Sequence, residues 1–229
     1  ATAGTFADVT LENGAAMQVA NVVAQADAVT VGSTTEAEAE APAATGATLT
    51  VGSSNSRGSL SVESLGIKAG STVFLDPAWS GDAALDTVAN ASHLAVSEIT
   101  ELNGNLIAGQ NSLVAVGATA DEAVASFNAL TAANSGLGWG ESNVTAALYI
   151  AKPIDFAGST GKIVVDGSLT AIPSATYDAN VTVAEYGMLM IDQAAIGSET
   201  AINGTLNLAD GSYVGLVNAN EGTVTLATS

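Results

Sequence analysis

Residues 201–217, AINGTLNLADGSYVGLV, decide the fold. In Thr205-Leu206-Asn207-Leu208 polar and apolar residues alternate with a period of two, which in a strand places both leucines on one face. Asn203-Gly204 and Asp210-Gly211 bracket this run, and such pairs supply the positive φ that tight turns need. The unit is a short half-buried strand, a turn, and another short strand.

The same texture runs outward through the chain. Strands are predicted at 5–11, 47–51, 59–65, 71–75, 93–99, 105–108, 112–116 and 144–151, then at 162–169, 181–185, 188–191, 201–208, 212–217 and 223–227. Asn13-Gly14, Asn103-Gly104 and Asp166-Gly167 add further turns. Between residues 162 and 229 strand-plus-turn units return about every 20 residues, close to the coil length of a parallel β-helix. Antiparallel hairpins use the same turns, so turn chemistry alone leaves the topology open.

Three segments break the pattern. Residues 33–46, STTEAEAEAPAATG, form an acidic low-complexity loop in which Glu36, Glu38 and Glu40 alternate with Ala. Residues 80–92 suggest a short helix, with Ser80 or Asp82 near its start. Residues 120–134 carry the best helical pattern, within a helical excursion spanning 118–140. Val124, Phe127 and Leu130 form its stripe, Ala123 flanks them, and Asp121 and Glu122 sit in the first turn, where the helix dipole favours them. The narrow stripe predicts a helix lying on the side of a β-structure or capping it.

Composition narrows the function. Apolar residues make up 48% of the 229, but aromatics only 4%, so the core must be built from Ala, Val, Leu and Ile. These suit strands packed in regular layers. The net charge of −19 arises with only 12% charged residues, because Arg57, Lys68, Lys152 and Lys162 are the only cations. Phosphate backbones and anionic membranes are attracted by clustered Lys and Arg, so nucleic acid and membrane surfaces are not expected partners. Trypsin-type proteases find few sites, and Lys152 precedes Pro153. There is no cysteine, which removes disulfides, thiol catalysis and cysteine-type zinc sites. No apolar run is long enough to span a bilayer. The start without Met and the strand-like end at Thr223–Ala227 suggest one segment, 1–229, of a longer surface protein.

With VTLENGAAMQV (9–19), GSLSVESLGIKAGSTVFLD (58–76) and INGTLNLADGSYVGLV (202–217), the chain resembles the passenger domains of bacterial autotransporters. The shared features are alternating strands joined by Asn-Gly or Asp-Gly turns, no Cys, few Lys and Arg, and abundant Thr, Ala, Gly and Asn. The resemblance implies type V secretion, a right-handed parallel β-helix, and a cell-surface adhesin acting in adhesion, aggregation or biofilm. It carries no motif residues onto positions here, and the helix at 120–134 departs from the commonest passenger pattern.

Catalytic motifs are sparse. His93 has no placed triad partners, and no Gly-x-Ser-x-Gly elbow occurs. The stretch 157–163, AGSTGKI, brushes against a P-loop, but Phe156 stands where the first glycine belongs and Ile163 where a magnesium-binding hydroxyl belongs. Gly136, Gly138 and Gly140 lack the dinucleotide spacing and fit an exit from the helix, with Trp139 covering apolar surface. Asp166 and Asp210 precede glycines and fit turns better than calcium ligands. Trp79 and Trp139 fit shielding roles better than sugar-stacking ones. Asn90, Asn143, Asn180 and Asn203 head glycosylation sequons.

The expected fold is therefore all-β, a right-handed parallel β-helix (β-solenoid) with short helical and loop excursions. The expected function is extracellular and non-enzymatic, at the bacterial cell surface, with no catalytic, metal or cofactor-binding residues assigned and no cofactor. Its expected partners are host or bacterial cell-surface glycans or proteins, or further copies of itself. A polysaccharide-active β-helix enzyme and a β-sandwich or S-layer-like module stand as alternatives.

Overall fold

The computed structural model describes residues 2–33, 46–53, 56–75, 88–90, 92–137, 143–173 and 177–219. The fold is all-β, with long parallel sheets and two helices. The first half holds β1 (Thr2–Leu11), β2 (Ala16–Val19), β3 (Val22–Val31), β4 (Thr48–Val51), β5 (Ser59–Ile67) and β6 (Thr72–Leu75). Then come β7 (Ser92–Leu102), β8 (Asn105–Ala108), β9 (Ser112–Val116) and helix α1 (Ala120–Ala133). The second half holds β10 (Ala146–Ile150), β11 (Ile154–Asp155), β12 (Lys162–Val165), β13 (Val181–Val183) and β14 (Gly187–Asp192). After the short helix α2 (Gln193–Ile196) follow β15 (Ile202–Asn203), β16 (Leu206–Leu208) and β17 (Tyr213–Val217).

Consecutive strands pair with each other only at β9–β10 and β12–β13, across long connections. The chain crosses from one sheet to a second and returns to lie beside the strand of the previous pass. This gives an eight-stranded sheet in the order β1-β3-β5-β7-β9-β10-β14-β17. A seven-stranded sheet has the order β16-β13-β12-β8-β6-β4-β2, and β11 pairs with β15. Every pairing between these strands is parallel, and the one antiparallel contact among the described residues is an isolated bridge between Ser53 and Ser56. The antiparallel sandwich alternative is therefore excluded. Asn13-Gly14 turns a corner between sheets and not a hairpin: Gly14 takes φ 81° and the Ala15 N–H donates to the Glu12 carbonyl at 2.9 Å.

Register explains the core. Leu60, Leu94, Val114, Leu148 and Leu189 align across the large sheet, and beside them Val62, Val96, Val116, Ile150 and Ile191. Leu49, Val73, Leu106, Ile163 and Val181 form the facing row of the second sheet. All of these are buried in one cluster, so each aliphatic side chain stacks on its counterpart one pass away. The long strands bend. In β3 the inward residues are Ala24 and Ala26, then Val29 and Val31, a step of three that turns the strand onto a third face.

Outer faces follow a second rule: they are polar, or they are covered. Helix α1 lies on the side of the large sheet, over Leu113, Ala115, Ala147, Tyr149, Met188 and Met190. Hence β9, β10 and β14 are buried throughout and lack the alternation of half-buried strands. Gly215 makes the close approach possible, since a Cβ there would lie 2.1 Å from Leu130 Cδ2. On the second sheet Phe74, Ile107 and Val164 are covered by Leu169 and Tyr177.

Several boundaries differ from expectation. β3 and β11 were not predicted, β3 because its three Ala and one Gln weaken the apolar signal, whereas β2 lies in the strand expected after the Asn13-Gly14 turn within 9–19. The strand at 162–169 stops at Val165, where Asp166 turns the chain, and 201–208 divides into β15 and β16 around Gly204. The buried stripe of α1 is Ala123, Phe127 and Thr131, one above the other at i, i+4 and i+8, with Val124 and Leu130 only partly covered. Of the helix expected at 80–92, residues 88–90 form a 3-10 turn and most of the rest lies outside the described residues, as do 34–45 of the acidic loop, 138–140 of the helical excursion and the strand at 223–227.

Leu148→Ala removes one member of a fully buried ladder and is expected to destabilise the fold by about 2–5 kcal/mol. Glu63→Ala, on the exposed side of β5, is expected to change stability by less than about 0.5 kcal/mol. Urea unfolding midpoints of the two variants check this contrast.

Candidate binding groove

A depression on the surface arises because one pass leaves the stack. Residues 92–96 of β7 pair with β9, but 98–102 pair only with β5 on the other side. β9 would continue over 98–102 if it ran straight. Instead Gly117 (φ 78°) donates its N–H to the Val96 carbonyl at 2.8 Å and the chain turns away. A Cβ on Gly117 would meet Lys152 Cβ at 2.4 Å, so the turn depends on glycine. Thr119 then starts α1 with a capping box: Thr119 Oγ1 accepts from the Glu122 N–H, and Glu122 accepts from the Thr119 N–H.

The next pass closes the gap at its far end only. The Ala151 N–H donates to the Val116 carbonyl at 2.8 Å, Pro153 and β11 follow, and the Gly161 N–H meets the Leu102 carbonyl at 2.9 Å. Ser159 Oγ donates to the same carbonyl, and the Thr160 N–H to Asn103 Oδ1. The result is a wedge of about 300 Å³, one strand wide at its β9 end and closed at Leu102.

Its floor is apolar: Ile99, Leu102, Val116 and Ile154 line it. Ile99 shares a row with Val29 and Leu65, which are fully covered, yet it is only half-buried because the next pass is missing. The rim is charged. Lys152 Nζ pairs with Glu98 at 3.2 Å. Lys68 pairs with Glu101, which also accepts from Asn103 Nδ2 at 2.9 Å. The hydrogen bond from Lys68 holds the Glu101 carboxyl below its usual range. Asp155 accepts from the Ala157 N–H at 2.9 Å and from Asn203 Nδ2 at 2.7 Å. The register between β5 and β7 shifts here, so Thr100 bulges from the ladder.

A second polar cluster lies under α1, with Asp192 buried and Asn218 exposed at its edge. Tyr149 Oη donates to Asp192 Oδ2 at 2.6 Å, and Asn218 Nδ2 donates to the same oxygen at 2.8 Å. Asp192 Oδ1 caps α2 by accepting from the Ala195 N–H at 3.0 Å. Burial, then the Asp192 partner, pushes the Tyr149 phenol up to about 12. Burial alone would raise the Asp192 carboxyl, but hydrogen bonds from Tyr149, Ala195, Asn218 and Ala194 outweigh it and hold it low. With both carboxylate oxygens occupied, this cluster anchors α2 and the end of β17.

The residues singled out in the sequence do not converge. His93 is half-buried in β7, and its Nε2 lies 3.0 Å from the Val88 carbonyl. Desolvation is the main cause that lowers its pKa. The 157–161 loop spends Ser159, Thr160 and Gly161 on Leu102 and Asn103 and leaves no phosphate cradle. Asp166 accepts from Ser168 N at 2.9 Å and Ser168 Oγ at 2.6 Å, a turn, and Gly211 after Asp210 takes φ 76°. Asn180 binds Thr205 one pass on, through its Oδ1, and Asn203 binds Asp155. Asn143 and the backbone of Asn90 are described, and neither joins this groove. Gly136 has open space around its Cα, while Gly138, Trp139, Gly140 and Trp79 lie outside the described residues.

Among the described residues no group of three or more His, Asp and Glu side chains could hold a metal ion. Nor is any described helix long and apolar enough to cross a membrane. The grouping of Glu98, Glu101, Lys152 and Asp155 had no local signal, because these residues come from two different passes. No family model, characterised protein or solved structure matches the chain.

The Asp192 cluster sets a pH dependence. A carboxyl held low in the fold contributes stability above its ordinary range, and loses it as pH falls through the depressed value. The neutral Tyr149 phenol contributes below about pH 10 and loses this as pH rises through about 12. Tyr149→Phe is expected to cost about 1–3 kcal/mol at neutral pH, and Asp192→Asn to flatten the acid limb. Thermal melts from pH 2 to 7 read both.

Proposed function

We propose that this chain is a segment of a right-handed parallel β-helix in an extracellular bacterial surface protein, similar to autotransporter passenger domains. On this reading it is not an enzyme and mediates adhesion or self-association, as in aggregation or biofilm. One observation carries the proposal: the strands of successive passes lie parallel and in register, so rows of outward residues repeat along the first four strands of the large sheet. Right-handedness is what strand twist imposes on parallel crossovers. Eight strands spaced by about 4.8 Å extend roughly 34 Å along the stacking direction.

The outer face of the first four strands of the large sheet supports a contact role. Thr5, Gln25 and Ser61 form one row, with Asp27, Glu63 and Ser97 beside it. Together with Thr119 and Glu122 at the start of α1 they line a shallow depression of about 430 Å³. Hydroxyl, amide and carboxylate groups repeated at strand spacing suit many weak hydrogen bonds to cell-surface glycans or proteins, strengthened by multivalency. A second reading, a polysaccharide-active β-helix, draws on Glu98, Glu101 and Asp155 lining one groove.

Display of residues 1–229 on a bacterium that neither clumps nor attaches is expected to raise sedimentation or attachment to cell monolayers several-fold. Incubation with acidic and neutral glycans is expected to release no reducing ends or unsaturated products. Release of either product would replace the adhesin reading with the enzyme reading, and display without clumping or attachment would remove the adhesin reading.

A further inference from the structure

The wedge is bounded by two unpaired strand edges that face each other. On the β7 edge the Val96 carbonyl accepts from Gly117 and the Leu102 carbonyl from Gly161. The strand takes the same corner step of three as β3, so the main-chain groups of Ile99 lie on that edge between them, while those of Glu98 and Glu101 turn to β5. Across the gap, the Ile154 and Phe156 N–H groups point away, to the Ala201 and Asn203 carbonyls. The main-chain groups of Asp155 and the carbonyl of Pro153 therefore point back toward β7. These groups lie where β9 would have paired had it continued past Gly117.

We propose that this wedge accepts an extended basic peptide, which supplies the missing strand by main-chain hydrogen bonds to Ile99 and Asp155. Three features define the occupant. The span from Glu98 to Leu102 admits about four to five extended residues at about 3.3 Å each. Its closure by Ser159 and Gly161 on Leu102 fixes where the peptide stops. The half-buried Ile99, with Val116 and Ile154, offers an apolar seat for one inward side chain of the peptide.

Charge selects the rest. The groove carries Glu98, Glu101 and Asp155 against Lys152, in a chain of net charge −19. Lys68 already holds Glu101 from the pass beneath. The Lys152–Glu98 pair is solvent-exposed, at 47% and 57% of the side-chain surface, so a Lys or Arg of the peptide can take Glu98 from Lys152 at little cost. The Thr100 bulge and the charged rim are the devices by which exposed edges refuse arbitrary strands. They restrict the wedge to a partner of opposite charge. A saccharide fits less well, because no aromatic side chain lines the groove to stack on a sugar ring. The proposal stands independently of the adhesin reading.

The test is an NMR titration of the full ¹⁵N-labelled chain with two capped pentapeptides, Lys-Val-Thr-Val-Lys and Glu-Val-Thr-Val-Glu. The basic peptide is expected to shift the Ile99 and Asp155 amides, to slow their hydrogen exchange at least tenfold, and to bind at least tenfold more tightly than the acidic one. Combining Glu98→Lys with Asp155→Lys is expected to reverse that preference. Ala157→Trp, at an exposed position on the lip, is expected to block both peptides. Equal affinity for the two peptides, shifts that avoid these amides, or binding that survives the Ala157→Trp plug would overturn the proposal. So would shifts at the same amides caused by a neutral oligosaccharide, or by raising the protein concentration with no peptide present. Should a variant fail to fold, the comparison of the two peptides on the unaltered chain decides alone.

Discussion

The structure depends on aliphatic side chains stacking in register from one pass to the next. A parallel strand cannot pair with the next strand through a tight turn and needs a long crossover, so each pass is stable only when the next lies beside it. The ladder Leu94-Val114-Leu148-Leu189 holds that alignment, because a one-residue slip would turn every leucine out of the core. Pass length is free within this constraint. Thr2 aligns with Val22 after a short circuit, whereas Ser112 aligns with Ala146 only after a helix has been accommodated. Insertions leave from corners and return to the same register.

The diversion at Gly117 has two consequences that belong together. It carries α1 out to cover Leu113, Tyr149, Met188 and Met190, an apolar patch that would otherwise face water. It also removes a strand from the third face and exposes Ile99 at the floor of a wedge. The cover and the groove are therefore products of one departure from the stack, and the buried Tyr149–Asp192 bond helps hold the covered side in place.

Much of the β-structure was legible because alternation is a local property. β8 and β9 fall at the predicted residues, since Asn105–Ala108 and Ser112–Val116 are short apolar runs between turn residues. β3 was missed, because Ala24 and Ala26 pack inward as effectively as Val where two passes lie close, and alanine carries little strand signal. In α1, Phe127 and the flanking Ala123 are buried as read, while Val124 and Leu130 are only partly covered because the partner is a flat sheet face, which selects Ala123, Phe127 and Thr131 at a spacing of four. The groove was not legible at all. It is made by what fails to lie between β7 and β11, and no residue type encodes a strand that goes elsewhere.

A fold of this kind offers repeated outward rows and two sorts of site: a flat polar face and an interrupted edge. Both are shaped for many modest contacts and not for a single deep pocket. The most direct test is the pattern of inter-strand proton contacts around Leu148. Parallel stacking requires amide-to-Hα cross-peaks linking residues 147–149 to 113–115 on one side and to 188–190 on the other. Strong Hα–Hα cross-peaks between these strands, the mark of antiparallel pairing, would contradict it.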